Sequence, residues 1–583
     1  MRRRPSDTTL LVGLAVALLA WASAPFLFHG FTVPLGPDAP VYLWWARIAG
    51  VEGLSAVGER TGEPALALAL AGTLRTSTVA TLTALEIGGT VAIGLAAAAL
   101  VRSVEPDERA SWTLAGLLAG TFASHLAAGY VANLLFAAMF IAAAIALAGA
   151  TRRGAIAAAL LLGAAGITHP LFLGLGVAIL ALAAMMAFRE PGVLRRELGA
   201  AVGGAAILGV SALAMHLGPD ALRAETSRDA FLRRAGLDAI LRDAYLERFL
   251  RRWPRYAPWG VLPLAVAGLA RVHGTVRRFL VAWGVAIAVG VATAIATRAF
   301  PPDRFLTFAF VLPILAGPGA VRIARTSSLP RAAARLLAGG LVGAMLVGAG
   351  WAWFGQTPFL TSWELASLAR ANAVAVAAPD AALVVPVSSG SSAFVATRVG
   401  NLARAALPPE RIRDLVIEVV GTADGVEAAA LSATARADVA AATAARGGRV
   451  QRILIVPFAP NVTARAPWIP IAPGVYADPP VVAGSASDPL LPSSPVAMTL
   501  AGVAASIFLF VVGAAGARAI GLDVAASFAL APAIGMASLV LTATALDRVG
   551  LRLTGVAVPL VASALAVALG LAGRYVAERR VGG

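Results

Sequence analysis

The chain has 583 residues, of which 59% are hydrophobic and only 13% are charged, and its mean hydropathy is +0.81. Soluble globular domains carry about 25% charged residues, so this composition excludes that class and indicates a polytopic membrane protein. The net charge of +16 comes from arginine, because the chain has no lysine. We assign it to cytoplasmic loops rather than to nucleic-acid binding. The chain also has no cysteine, which excludes disulfide and thiol chemistry.

Apolar runs that approach the roughly 20 residues needed to cross a bilayer recur along the whole chain. The positive start of the chain is typical of a signal peptide, but Pro25 would follow the obvious cleavage site, so we expect a retained first helix. The runs predict about fourteen transmembrane helices, at 10–28, 77–101, 112–128, 131–148, 154–167, 171–188, 200–216, 257–270, 279–297, 305–320, 336–353, 495–515, 522–542 and 554–571.

Arginines mark alternate loops between these runs, and such loops lie in the cytoplasm. The marking residues are Arg2, Arg102, Arg152, Arg195, Arg277, Arg322 and Arg579. We therefore expect a multi-pass protein of the plasma membrane with both termini in the cytoplasm. Asp38, His169, the stretch 217–256 and the long segment 354–494 then lie on the outer side.

The segment 354–494 has a different composition and contains three β-type runs, "AALVVPV", "DLVIEVV" and "RILIVPF". Helix-like runs at 392–406 and 424–446 separate them, which predicts a small α/β domain with a parallel sheet. The predicted fold is an all-α polytopic membrane protein with this extracytoplasmic domain inserted before the last three helices. The domains are 1–353, with about eleven helices and outer loops at 29–76 and 217–256, then 354–494, then 495–583.

The first outer loop, "PLGPDAPVYLWWARIAG", holds the lone acid Asp38 beside an aromatic cluster. A carboxylate at the membrane surface can act as a general base toward a hydroxyl group. Tyr42 and Trp45 are then candidate substrate contacts, and Trp44 an interfacial anchor. The alternative interpretation is that Asp38 caps a helix and that the aromatic residues only anchor the interface.

A basic stretch, "DAYLERFLRRWPRY", ends the second outer loop. Its apolar residues recur at helical spacing, which is typical of an amphipathic helix in the interface. Arg251, Arg252 and Arg255 are candidate ligands of a lipid phosphate. The alternative is that they bind anionic headgroups without specificity.

Ionisable and polar groups near the ends of transmembrane helices form a third set of candidates. Arg304, in "FPPDRFL", is a candidate phosphate ligand, and His169 and Tyr130 are candidate donor or substrate contacts. The alternative is that the sequence Thr168-His169-Pro170 only ends a helix.

An acid in the first outer loop, many following helices and a soluble domain on the same face resemble the GT-C-type membrane glycosyltransferases, which include protein mannosyltransferases and aminoarabinose transferases. The resemblance implies that Asp38 is the catalytic acid and that Arg304, in "ATRAFPPDRFLTFAFVLPILAG", meets the donor phosphate. The family often carries an acidic pair at the first position. Here Ala39 follows Asp38, which does not support a divalent metal site.

The leading hypothesis is an inverting glycosyltransferase that moves a sugar from a polyprenyl-phosphate carrier to an acceptor hydroxyl on the outer face. Its partners would be that donor, a cell-envelope glycan or lipid acceptor and membrane lipid, with no cofactor and no nucleic acid. Two alternatives stay open at this point. They are a transporter or flippase of a lipid-linked or anionic solute, for which Glu86 is the clearest intramembrane acid, and a non-catalytic membrane scaffold.

Overall fold

The computed structural model describes most of the helical part of the chain and isolated strands of the segment between 354 and 494. The described residues are 6–36, 38–58, 60–127, 129–217, 260–297, 302–326, 329–359, 366–367, 370–371, 381–388, 405, 417–422, 452–455, 469–472, 475–478 and 493–579. The basic stretch with Arg251, Arg252 and Arg255 lies outside them.

Helices predominate among the described residues up to Phe354 and again from Pro495 to Arg579. They are α1 Asp7–His29, α2 Ala39–Glu52, α3 Gly62–Leu74, α4 Thr78–Arg102, α5 Arg109–Ala127, α6 Val131–Ala148, α7 Arg152–Thr168, α8 Pro170–Met186, α9 Pro191–Leu217, α10 Val261–Leu269, α11 Gly274–Thr297, α12 Asp303–Leu306, α13 Val311–Ala324, α14 Arg331–Phe354, α15 Pro495–Ala519, α16 Val524–Arg548 and α17 Ala557–Arg579. A short 3-10 turn, Leu54–Val57, joins α2 to α3.

Each apolar run predicted to cross the membrane overlaps one of these helices, and the fold is that of an all-α polytopic membrane protein. Among the described residues, nine helices are long and apolar enough to span a bilayer. The helices at the other predicted spans, α5, α7, α8, α10 and α13, do not meet that length and hydropathy test. The plasma membrane and the cytoplasmic position of the termini stay predictions.

Helix α4 is the centre of the bundle, because every residue from Val79 to Val101 is buried. Small residues bring its neighbours close, as expected where helices pack without a hydrophobic force between them. A Cβ added at Gly94 would lie 2.9 Å from the carbonyl oxygen of Gly116 on α5. The close packing of α4 and α5 therefore depends on these glycines.

One end of the bundle collects ion pairs between charged residues of the short loops. Arg102 at the end of α4 binds Asp7 of α1 at 2.9 Å and Asp523, the N-cap of α16, at 2.8 Å. Arg271 binds Glu105 at 2.6 Å at the same end. We name this the Asp7 end. The opposite Asp38 end carries the candidate site.

The described strands of the outer segment form one mixed sheet in the order β2-β1-β3-β5-β4. Strands β1 (Ala381–Ser388), β2 (Ile417–Thr422) and β3 (Arg452–Ile455) fall on the three predicted runs, and β1 pairs with both neighbours in parallel. The sheet also holds β4 (Ile469–Ala472) and β5 (Val475–Asp478), an antiparallel pair. The Pro-rich stretch "APWIPIAPG" thus contributes strand β4 to the sheet. Pro470 is tolerated because β4 is an edge strand.

The first outer loop, predicted only as a loop at 29–76, is built from α2, the 3-10 turn and α3. It contacts both ends of the outer segment. Gly36 N–H donates to the Thr357 carbonyl at 3.3 Å, and Ser493 N–H donates to the Thr32 carbonyl at 3.0 Å. The loop that carries Asp38 is thus held by the chain that enters and leaves the outer domain.

Candidate functional site

Asp38 begins helix α2 at the N-cap position, with Pro40 in the first turn of the helix. Its backbone carbonyl accepts the N–H groups of Val41 at 2.9 Å and Tyr42 at 3.2 Å. Its carboxylate makes no capping hydrogen bond. Asp38 is thus the N-cap residue, as the alternative interpretation has it, but its side chain does not supply the cap.

Two of the aromatic residues after Asp38 turn into the protein. Tyr42 and Trp45 are both buried, and their rings meet edge to face at 5.6 Å. The Tyr42 hydroxyl accepts the N–H of Ala132, at the start of α6, at 3.3 Å. Burial raises the pKa of Tyr42, and the nearby charge of Asp38 acts in the same direction. The phenol therefore keeps its proton and is available as a hydrogen-bond donor.

Arg60 enters the site from the segment just before α3. Its guanidinium carbon lies 4.9 Å from the centre of the Trp45 ring, a cation–π contact. Burial lowers the pKa of Arg60, and the positive charge of Arg304 acts in the same direction, whereas Tyr42, Asp38 and Glu63 oppose them. Arginine stays charged in proteins, so Arg60 brings a positive charge close to Asp38.

Glu63, in the first turn of α3, is fully buried. Burial raises the pKa of Glu63 to about 8, with Arg60 acting against the rise. At neutral pH this carboxyl group is therefore mostly protonated and uncharged. Neither carboxyl oxygen of Glu63, nor the hydroxyl of buried Thr61, has a hydrogen-bond partner among the described residues.

The segment before α6 and the short helix α12 bring Tyr130 and Arg304 together. The Arg304 guanidinium carbon lies 4.8 Å from the centre of the Tyr130 ring. The hydroxyl of Thr307 donates to the Arg304 carbonyl at 2.6 Å and accepts from the Asn133 side-chain amide at 3.0 Å. Arg304 is thus fixed on a buried polar pair that links α6 to the end of α12.

His169 lies at the junction of α7 and α8. Its Nδ1 accepts the Phe172 N–H at 3.3 Å, and its ring stacks on Phe172 at 4.2 Å. The interpretation of Thr168-His169-Pro170 as a helix boundary is therefore correct. His169 also faces the site: burial lowers its pKa, and the charges of Arg60 and Arg304 lower it further. The ring is neutral, and the proton is on Nε2 because Nδ1 accepts.

The structure brings all described residues of the sequence-predicted site to one end of the bundle. They are Asp38, Tyr42, Trp45, Tyr130, His169 and Arg304. Arg251, Arg252 and Arg255 lie outside the described residues, so their role stays a prediction. Arg60 and Glu63 were missed. The sequence feature that could have indicated them is a basic and an acidic residue three positions apart at the start of an apolar helix.

The described charged groups of this site are two guanidinium groups and one carboxylate, beside one neutral carboxyl group. Their net charge is therefore positive. Arg60 and Arg304 suit an anion such as a phosphate ester, and Asp38 suits proton abstraction from a hydroxyl. Within the part of the chain that the structure describes, there is no group of three or more His, Asp or Glu residues that could hold a metal ion. The expectation that the protein needs no metal or cofactor stays a prediction.

Fold and site together define a polytopic membrane protein with a buried, charged site at one end of its helical bundle. No protein-family model and no curated protein matches the chain. Its structure is similar to the crystal structure of the oligosaccharyltransferase of Archaeoglobus fulgidus in complex with zinc and sulfate. The TM-score is 0.43 and the sequence identity 14%, over 76% of this chain and 67% of that one.

Proposed function

We propose that the protein is a membrane glycosyltransferase that moves a sugar from a polyprenyl-phosphate carrier to an acceptor hydroxyl at the Asp38 end. The observation that carries the proposal is the convergence of Asp38, Arg60 and Arg304 from three separate segments of the chain. Arg60 lies close to both Asp38 and Arg304, so a base and an anion site fall within one small region. Removing charged groups from water costs free energy, and a scaffold without catalytic function gains nothing from that cost.

In the proposed reaction, Asp38 takes the proton of the acceptor hydroxyl. The hydroxyl oxygen then attacks the anomeric carbon and forms the new glycosidic bond, while the bond from that carbon to the phosphate oxygen breaks. The electron pair leaves with the polyprenyl phosphate. Attack opposite the leaving group inverts the anomeric centre. The proton on Asp38 later returns to water.

Arg60 and Arg304 would bind the phosphate and stabilise the negative charge that grows on it in the transition state. Neutral His169 and Tyr42 can each donate a hydrogen bond without adding charge. Protonated Glu63 leaves Asp38 as the anionic carboxylate among the described groups of the site. The phosphate is a good leaving group, so positioning and charge stabilisation account for most of the required rate enhancement.

A transporter is the rival function, and Glu86 is the observation that favours it. Glu86 lies in α4 and is 1% exposed. Its carboxyl group lies close to the backbone of Leu35 in the first outer loop. Transport would move the lipid-linked sugar intact, whereas glycosyl transfer cleaves it.

The test is reconstitution of the purified protein into liposomes that contain its co-purified lipids. Native mass spectrometry first identifies a bound lipid whose mass equals a polyprenyl phosphate plus a sugar. The proposal predicts that this lipid is converted to free polyprenyl phosphate when acceptor is present. Movement of the intact lipid between leaflets without cleavage would favour the transporter and contradict the proposal.

A further inference from the structure

The last helices of the chain hold the first outer loop at its midpoint. Asp547, near the end of α16, has only 1% of its side chain exposed. Both of its carboxylate oxygens lie 3.2 Å from the backbone N–H of Leu54, which donates to them. Leu54 begins the 3-10 turn between α2 and α3. This turn lies between Asp38 at the start of α2 and Arg60 just before α3.

Two arginines complete this contact, which we name the Asp547 clamp. Arg548 binds the Asp547 carboxylate at 3.2 Å and Arg552 binds it at 3.4 Å. A Cβ at Gly53 would overlap the guanidinium of Arg552, so that guanidinium lies directly on the backbone of the turn. Gly53 also has a φ of +96°, which a residue with a side chain rarely adopts.

Apolar packing surrounds the clamp and joins the same two parts of the chain. Its buried core consists of Ala49, Leu54, Ala65, Ala69, Ala543, Leu553 and Ala562. The first four belong to the outer loop and the last three to α16, α17 and the segment between them. The C-terminal helices therefore form the surface on which the loop rests, and Asp547 is the buried charge at its centre.

We propose that Asp547 is a positioning residue that aligns Asp38 with Arg60 for glycosyl transfer; this inference rests on the proposed function. Helix α2 has 14 residues and is about 20 Å long, so a tilt of about 3° at Leu54 moves Asp38 by about 1 Å. A misplacement of that size can reduce a rate about 100-fold. The helices that follow the outer domain would then support the first outer loop.

The test compares Asp547→Ala and Asp547→Asn with a matched control, Ser563→Ala. The Ser563 hydroxyl lies 3.0 Å from that of Thr73, so it joins α17 to α3 within the same contact region but away from the turn. We expect Asp547→Ala to lower kcat per folded molecule at least tenfold and to speed hydrogen exchange at residues 54–57. Asp547→Asn keeps one carbonyl acceptor for the Leu54 N–H, so its kcat should fall less than that of Asp547→Ala. Ser563→Ala should stay within twofold of the wild-type kcat.

A second arm places Asp547→Ala in the Asp38→Asn background, where no base is left to position. We expect little additional loss of kcat there. An equal fold-loss in both backgrounds, or a wild-type kcat in Asp547→Ala despite faster exchange, would overturn the inference. If Asp547→Ala does not fold, Arg552→Gln applies the same test. An active Asp38→Asn enzyme would instead refute the proposed function, and the exchange rates would still report on the clamp.

Discussion

The guanidinium carbon of Arg304 lies 4.8 Å from the centre of the Tyr130 ring, so α12 is joined to the segment before α6. A cation–π contact uses the flat face of the guanidinium. Phosphate binds at its N–H edge. The two interactions are compatible, which supports the proposed role of Arg304 at the donor phosphate. Arg60 is held in the same way on Trp45.

The paired guanidinium groups predict how donor affinity responds to the loss of charge. Arg60→Gln and Arg304→Gln should each weaken binding of a polyprenyl phosphate about 10- to 100-fold, because a charge-assisted hydrogen bond contributes about 1.5–3 kcal/mol. Titration of the detergent-solubilised protein measures this affinity. Arg75→Gln is the matched control, since Arg75 is exposed in the first outer loop. Equal affinities in all three variants would remove both arginines from the phosphate site.

The raised pKa of Glu63 predicts that stability falls with rising pH. The folded protein holds a proton on Glu63 up to a pKa of about 8, whereas the unfolded chain releases it near 4.5. The stabilisation is complete below pH 4.5 and is lost as the pH rises to 8, at up to about 1.4 kcal/mol per pH unit. Thermal melting between pH 5 and 8 should show this slope in wild type and a shallower slope in Glu63→Gln. Parallel slopes would show that Glu63 is not the titrating group.

The close packing at Gly62 allows a steric test of the path of the first outer loop. A Cβ at this position would lie 2.7 Å from the Cα atom of Thr168, next to His169. Gly62→Ala should therefore destabilise the protein by about 1–3 kcal/mol and displace Arg60 and Glu63. Gly13→Ala is the control, because a Cβ at Gly13 meets no atom within 4 Å. Equal melting temperatures for the two variants would contradict the observed contact between α3 and α7.

The orientation predicted from the arginines can be checked directly, because the chain has no cysteine of its own. Val549 is 74% exposed at the Asp38 end, and Ser103 is exposed at the Asp7 end. An impermeant maleimide should label Val549→Cys on intact cells and leave Ser103→Cys unlabelled. The reverse pattern would place the Asp38 end in the cytoplasm and exclude an extracytoplasmic acceptor.

The sequence predicts the helices well because apolar length is a local property of the chain. It does not predict how the first outer loop folds. Arg60 and Glu63 resemble ordinary loop charges, and only the folded loop, which packs against Thr168 at Gly62, brings them to the site. The strand at Ile469–Ala472 was missed for a related reason. Pro470 argues against a strand until its place at the sheet edge is known.

Asp38 was identified from the sequence because it is a lone acid in an aromatic loop, but its partners were only partly identified. His169 and Arg304 belong to other loops, so no spacing in the chain brings them to Asp38. The resemblance to a known family groups Arg304 with Asp38, and His169 is a candidate because it is an ionisable group near a helix end on the predicted outer side. In the structure, the charges of both Arg60 and Arg304 act on His169, which places these groups close together.

The central claim is that Asp38 is the catalytic base, and turnover of purified Asp38→Asn protein in liposomes tests it most directly. Asparagine keeps the shape of the side chain but cannot take a proton, and the carboxylate does not cap α2. Melting temperature should therefore match wild type, while turnover falls about 10²–10⁴-fold, the usual contribution of a general base. Asp38→Glu should recover part of the activity. Sugar transfer by Asp38→Asn at the wild-type rate would contradict the account.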